Sequence, residues 1–427
     1  MIRKILLIGS LLSIIHTVMG HPMPHSILSF DVKSDKIYAD LKIPLKELQF
    51  AVPFDVSEHT ETLLNTERRN QLEGYFLAHI HARSHDGHDW KISLIEATLG
   101  ETEQIATGKY QELILRLLMQ PPKGGSVRRF DLFYDAIVHQ VVTHKIFVTI
   151  KQDWQSGRID TLEKHLGLIE LSFADNTILP LSVSLDEGNN WKGFLAMVRL
   201  GIRHITEGVD HLLFLLVLLL PATLIPFNNR WTAFSGTRNS IVNIFKIVTA
   251  FTIGHSLSLI FGALHWISLP SQPVEIFIAF TVLIAAIHAL RPIFFEREIY
   301  IASIFGLVHG LAFSTVLSEL HLETVEMIYS ILGFNIGIEL MQLFIIFLTI
   351  PWLIILSKNK HYQYLRVVGA IFAIIVSLAW MIERITLEPN RVSIFAEQIF
   401  SQGDWILLLL MSCAIFSIAY KKVSNKQ

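Results

Sequence analysis

From Trp191 onward the sequence is a series of apolar runs long enough to cross a bilayer, and ionisable side chains stand inside them. A helix crossing the hydrocarbon needs about 20 predominantly apolar residues. The runs extend from Val209 to Ile225, Ile241 to Leu264, Val274 to Phe294, Ile299 to Leu317, Ile328 to Leu356, Val367 to Ile385 and Trp405 to Tyr420. In lipid a backbone must satisfy its own polar groups, so each run is predicted to be a helix. Composition agrees, because charged residues are only 17%, against about 25% in soluble chains. Before the first run, Gly193 to Glu207 is apolar but carries Arg199, Arg203, His204 and Glu207, which predicts an interfacial helix.

Loop charges orient the bundle. Arg230 and Arg238, Arg291 and Arg297, then Lys358, Lys360 and Arg366 fall in alternate loops, and Lys421, Lys422 and Lys426 form the tail. The intervening loops are uncharged around Pro270 to Pro273 and acidic at Glu319, Glu323 and Glu326. Positive charge marks the cytoplasmic side. About seven helices fit this pattern. It puts the C-terminus in the cytoplasm and the preceding domain outside a bacterial-type inner membrane.

The N-terminus has a basic Met1-Ile-Arg-Lys, an apolar Ile5 to Val18 and a small-residue end at Thr17-Val-Met-Gly20. This is the pattern of a secretory signal peptide over 1–20. Residues 21–187 then form an extracytoplasmic β-rich domain, and 191–427 the membrane domain. Ile27 to Val32, Lys36 to Ile43, Trp90 to Leu99, Gln111 to Gln120, Arg128 to Ala136 and Lys145 to Gln152 are short, partly alternating runs rich in β-branched and aromatic residues. They predict an all-β, sandwich-like domain, with a helix over Glu58 to Leu72. The fold class is therefore mixed: a β sandwich followed by an all-α membrane bundle. The net charge of −2 recruits no nucleic acid, and the single Cys413 forms no internal disulfide.

Histidine is abundant, at 19 residues. In the first domain His79, His81, His85 and His88 cluster, the first pair on one strand face and the second at an Asp86-Gly87 turn. With His21 and His25 they are candidates for outer metal capture, against a reading as solvated loop histidines. In the membrane half, His204, Glu207 and His211 share a helical stripe, with Asp210 one step off it. His255 and Ser256, Glu275, His309, and the stripe Asn335, Glu339 and Gln342 follow on later runs. Ionisable groups in a bilayer face a partner or a cavity. Five helices are thus predicted to converge on one site. Imidazole with carboxylate suits a divalent transition metal, or the carboxylate orients an imidazole from behind.

Several of these segments resemble one family. Gly201-Ile-Arg-His204-Ile-Thr-Glu-Gly208-Val-Asp210-His211-Leu-Leu is similar to the first-helix signature of HupE/UreJ proteins. Thr249-Ala-Phe-Thr-Ile-Gly-His255-Ser256, Val274-Glu275, Phe305-Gly-Leu-Val-His309-Gly310 and Phe334-Asn335-Ile-Gly-Ile-Glu339 also resemble that family, in order. One position departs: the family commonly has Pro after the first His, and this chain has Ile205. The resemblance implies a nickel or cobalt permease, with His204, Asp210 and His211 binding metal and His255 and His309 as further ligands; Glu339 joins them from its own stripe. Glu207, Ser256, Glu275, Asn335 and Gln342 are supporting candidates. The first expectation is a transporter rather than an enzyme, with the lipid bilayer and a Ni, Co, Zn or Cu ion as partners. A second is an intramembrane zinc-dependent hydrolase, although the spans hold neither His-Glu-x-x-His nor Gly-x-Ser-x-Gly. A third is a non-transporting sensor or assembly factor with a protein partner.

Overall fold

The computed structural model describes residues 24–56, 65–104, 108–159, 162–267, 269–294, 296–320 and 322–424. It divides into two compact units, Met1–Gly188 and Asn189–Gln427.

The first unit is β-rich. In chain order it holds β1 (Ser26–Val32), β2 (Ile37–Pro44), α1 (Leu45–Gln49), α2 (Thr66–His79), β3 (Ile80–Ser84), β4 (Lys91–Gln104), β5 (Gly108–Gln120) and β6 (Arg129–Tyr134). Then come β7 (Ile146–Asp153), β8 (Lys164–Ile169), β9 (Leu171–Ser172), β10 (Thr177–Ile178) and β11 (Leu181–Ser184). One sheet runs β4-β5-β2-β1-β7-β8, and a second runs β11-β6-β3. In the large sheet all pairings are antiparallel except β1 with β7. Leu28, Phe30, Leu41, Leu115 and Val148 of the large sheet share one core with Phe130, Leu132 and Tyr134 of the small sheet and Leu72 and Phe76 of α2. This is the sandwich arrangement expected.

Two local expectations change. The helix expected over Glu58 to Leu72 is described from Thr66, where Asn65 caps it by accepting from the Arg68 amide, and it runs on to His79; 57–64 lie outside the described residues. His79 therefore ends a helix while His81 sits on β3, so the two do not share a strand face. Elsewhere Ser26 Oγ lies 2.9 Å from His144 Nε2, and Glu47 lies 3.4 Å from His144 Nδ1. The order resembles a hydrolytic triad, but all three residues are buried, Ser26 completely. The trio joins the start of β1 to α1 and to the turn before β7.

The second unit is helical: α3 (Asn190–Glu207), α4 (Val209–Leu219), the hairpin β12 (Leu224–Phe227) and β13 (Arg230–Phe234), α5 (Thr237–Ala263), α6 (Ser271–Leu290), α7 (Glu298–Glu319), α8 (Thr324–Ser357), α9 (Tyr362–Thr386), α10 (Arg391–Ser401) and α11 (Gly403–Ser424). Among the described residues α5, α6, α8 and α9 are long and apolar enough to cross a membrane. The bent pair of α10 and α11 makes a fifth candidate, and α4 and Glu298–Ser314 of α7 are shorter apolar helices. Each of the seven expected runs thus contains a helix. The first ends early, at Leu219, where Pro221 and the β12–β13 hairpin come next. The Asn228-Asn229 pair turns that hairpin with both residues at positive φ.

The helix expected to lie at the interface, α3, packs along α8. A Cβ on Gly201 would strike the Phe334 carbonyl oxygen, and one on Gly337 the Val198 carbonyl oxygen. The same contact recurs between α5 and α7: Gly254 faces the Ser303 carbonyl, and Gly306 the Phe251 carbonyl. Small residues at these crossings let backbones touch, which drives association where lipid removes the hydrophobic incentive. At the opposite end Arg366 of α9 donates to the Ala289 and Leu290 carbonyls and caps α6. Gly254→Val and Gly337→Val each force two backbones apart. Each is expected to cost at least about 1–3 kcal/mol, read as a lowered thermal midpoint of the detergent-purified chain. An unchanged midpoint would contradict the packing described.

Candidate metal centre

The chain leaves helical geometry for one residue, Gly208, between α3 and α4. A side chain there would press on the His204 carbonyl and the His211 ring, so only glycine leaves room for both at the break. Asp210 opens α4, and its Oδ1 accepts from both the His211 amide and His211 Nδ1, each at 2.9 Å. Broken helices of this kind place ion-binding groups at the break in many membrane proteins. The break falls three residues after Ile205, and α3 remains helical through Ile205, which is buried.

Four imidazoles meet beside the break. His204 of α3 and His211 of α4 have ring centroids 4.6 Å apart, and His211 and His309 of α7 are 5.0 Å apart. His255 of α5 lies 6.2 Å from His204 and 6.4 Å from His211. The α3/α8 and α5/α7 glycine contacts set these positions, because His204 comes one turn after Gly201, His255 directly after Gly254, and His309 lies between Gly306 and Gly310. Phenylalanines wall the cluster. Phe313 and Phe334 stack at 3.9 Å beside His204, and Phe214 and Phe251 each lie 5.2 Å from His309.

Hydrogen bonding fixes where the lone pairs point. A carboxylate only accepts, so His211 carries its proton on Nδ1 toward Asp210 and leaves Nε2 bare. Thr281 of α6 gives its hydroxyl hydrogen to the Ile278 carbonyl at 2.7 Å. His309 Nε2, 2.9 Å from Thr281 Oγ1, must then be the donor, leaving Nδ1 bare. His211 Nε2 and His309 Nδ1 are indeed buried without partners. So are His204 Nε2 and both ring nitrogens of His255. A void of roughly 10 Å³, bordered by His211, Phe251 and Gln342, adjoins the cluster; such a volume fits about one water. Among the described residues no three His, Cys, Asp or Glu side chains stand close enough to hold an ion together, so the rings would have to turn inward to chelate one.

The other expected residues fall elsewhere. Glu339 is half-buried on α8, and its helix contributes Phe334 and Gln342 to the cluster instead. Gln342 accepts from Thr252 at 3.3 Å. Asn335 donates to the Ile331 carbonyl of its own helix, with its oxygen buried and unpartnered. Ser256 donates to the Thr252 carbonyl at 2.8 Å, which removes its hydroxyl hydrogen from chemistry. Glu207 is exposed and pairs with Arg203. Glu275 pairs with Arg384 of α9 at 3.4 Å, away from the imidazoles. His288, also in a span, is a cap: its Nδ1 accepts from the Ile293 and Phe294 amides.

In the β unit the histidines are engaged one by one. His79 bonds Asp135 at 2.8 Å, His81 the Ala78 carbonyl, and His85 and His88 pair with Asp131 and Asp86. The His88 contact holds the Asp86 carboxyl below its usual range. His25 packs on Phe147, and burial with nearby His144 lowers its pKa. His21 lies outside the described residues. Sequence reading passed over Thr281, the phenylalanine walls and the Gly208 break. Of these only the glycine carried a signal, as a helix breaker inside a run.

A buried polar atom without a partner costs roughly 1–3 kcal/mol. His255→Leu removes two such atoms at similar volume. It is expected to raise the thermal midpoint of the metal-free chain, and a lowered midpoint would show that the imidazole has a structural bond instead.

The family model described as HupE / UreJ protein matches residues 182–384. No curated protein and no solved structure matches the chain. The matched stretch contains the helix break and all four clustered histidines. Residues 182–384, just under half of the chain, are thus similar to the HupE/UreJ family, which is linked to nickel and cobalt transport or to urease and hydrogenase maturation.

Proposed function

We propose that the chain is a membrane permease for a divalent transition metal ion of the nickel and cobalt class, with the ion as its substrate. One observation carries the reading: five imidazole nitrogens from four histidines are buried side by side without partners, in an apolar surround. Their unmet bonding is costly to the fold and is satisfied by a borderline-soft cation. His204, His211, His255 and His309 are the ligands, and Asp210 orients His211 from behind. Several weak positions rather than one closed cage suit an ion that must also leave. The same reading takes 1–20 as a leader, the β unit as an extracytoplasmic module, the bundle as inner-membrane with a cytoplasmic C-terminus, and the outer histidines as collectors. The zinc-hydrolase alternative would use the same imidazoles, but Ser256, its candidate assistant, spends its hydrogen on its own helix.

Uptake of Ni²⁺, Co²⁺, Cu²⁺ and Zn²⁺ into proteoliposomes tests this. Asp210→Asn is expected to lower uptake of the transported ion by about 10–100-fold, the usual effect of losing such an orienting carboxylate. Ser256→Ala is expected to leave it unchanged. Absence of uptake of all four ions by the wild-type chain would overturn the reading.

A further inference from the structure

Asp210 has a second face. Besides holding His211, its side chain is 20% exposed and lines a cleft of about 540 Å³ between the Gly208 break, α9 and α10. Glu207 and Glu397 line the same cleft, as do Trp380 and Arg384. Glu397 lies on α10, beyond the stretch matched to the family. That helix is fixed in place by Asn390, which caps its first turn and also donates to the Ala379 carbonyl of α9. The cleft thus carries three carboxylates, one of which bonds directly to an imidazole of the cluster. Its lining also carries one cation, and Arg203, outside the lining, pairs with Glu207 at 3.8 Å. Arg384 lies over the Trp380 ring at 5.8 Å and is drawn to Glu275 of α6 at 3.4 Å.

We propose that this cleft is the path by which the divalent cation reaches the histidines, and that Arg384 sets its electrostatic barrier. The inference rests on the permease reading. A cation approaching the chain meets a concave surface whose carboxylates concentrate positive charge locally; such focusing raises association rates by about 10–1,000-fold. Glu207 and Glu397 attract the ion at the mouth, and it passes Asp210 and rounds the His211 ring to reach the bare Nε2, because Nδ1 keeps the proton that Asp210 accepts. Arg384 opposes the ion wherever its guanidinium faces the cleft. Its bond to Glu275 draws that charge toward α6. Glu275, placed by its sequence among the candidate site residues, then acts on the ion through Arg384 without touching it. Thr206 and Phe400 line both this cleft and an apolar groove of about 310 Å³ reaching toward α11. Beyond the carboxylates that groove is walled mainly by apolar side chains, Leu212, Leu216 and Phe344 among them.

Stopped-flow binding of Co²⁺ to the purified full chain, beside the uptake assay, tests the path. Glu207→Gln with Glu397→Gln is expected to slow association on the order of tenfold at low salt, with the number of ions bound unchanged. At high ionic strength the variant and the wild type should converge, because screening removes the attraction. Arg384→Gln should associate faster than wild type, and Arg384→Lys, which keeps the charge, should restore the wild-type rate. Thermal midpoints of each variant separate these effects from misfolding. Association unchanged in the double glutamine variant, or slowed equally at low and high salt, overturns the path while leaving the permease reading intact. Failure of the wild-type chain to bind or take up Co²⁺ and its congeners overturns both.

Discussion

Backbone contact between helices is the constraint on which the site depends. In lipid there is no hydrophobic gain from bringing two apolar helices together, so association relies on close packing. Here α3 meets α8 at Gly201 and Gly337, and α5 meets α7 at Gly254 and Gly306, with no room for a Cβ at any of the four. These contacts fix the depth and rotation of each helix to a fraction of a turn. His204, His255 and His309 sit within a turn of the contact glycines, so their rings inherit that precision, and His211 follows the Gly208 break. The cluster arises from where the backbones touch rather than from attraction between the rings.

Two kinds of membrane histidine are visible in the same bundle, and their bonding tells them apart. His288 accepts two amides beyond the end of α6, and its ring thereby completes a helix terminus. His211 and His309 are each tethered through one nitrogen by Asp210 or Thr281, so that the other nitrogen presents a bare lone pair. A tether behind a ring and an open nitrogen in front is how proteins prepare imidazole for a metal. His255 goes further, since neither of its nitrogens has a partner.

The sequence alone revealed the broad architecture, because hydrophobic runs and strand-like alternation are read directly from residue type. It also named His204, Asp210, His211, His255 and His309, since charge and imidazole stand out against apolar neighbours. What it could not resolve depended on rotation about helix axes. Glu339 and Gln342 lie on one stripe of α8, yet Gln342 and Phe334 reach the cluster while Glu339 stays half-buried apart from it. Glu275 looked like a supporting member of the site by depth, and its partner Arg384 lies more than a hundred residues later. The packing partner of α3 was hidden because Arg199 and Arg203 drew the eye to its polar face, whereas Gly201 makes the contact with α8. The Gly333-x-x-x-Gly337 spacing on α8 was the signal that would have revealed it.

The central claim is that the clustered imidazoles bind the transported ion. X-ray absorption on the Co²⁺-loaded, detergent-purified chain tests it most directly. The account predicts nitrogen neighbours at about 2.0–2.1 Å, with the outer-shell scattering of at least three imidazoles and no sulfur, all lost when His211 and His255 are replaced by alanine. Cobalt surrounded by oxygen alone, or an imidazole signal that survives both replacements, would contradict it.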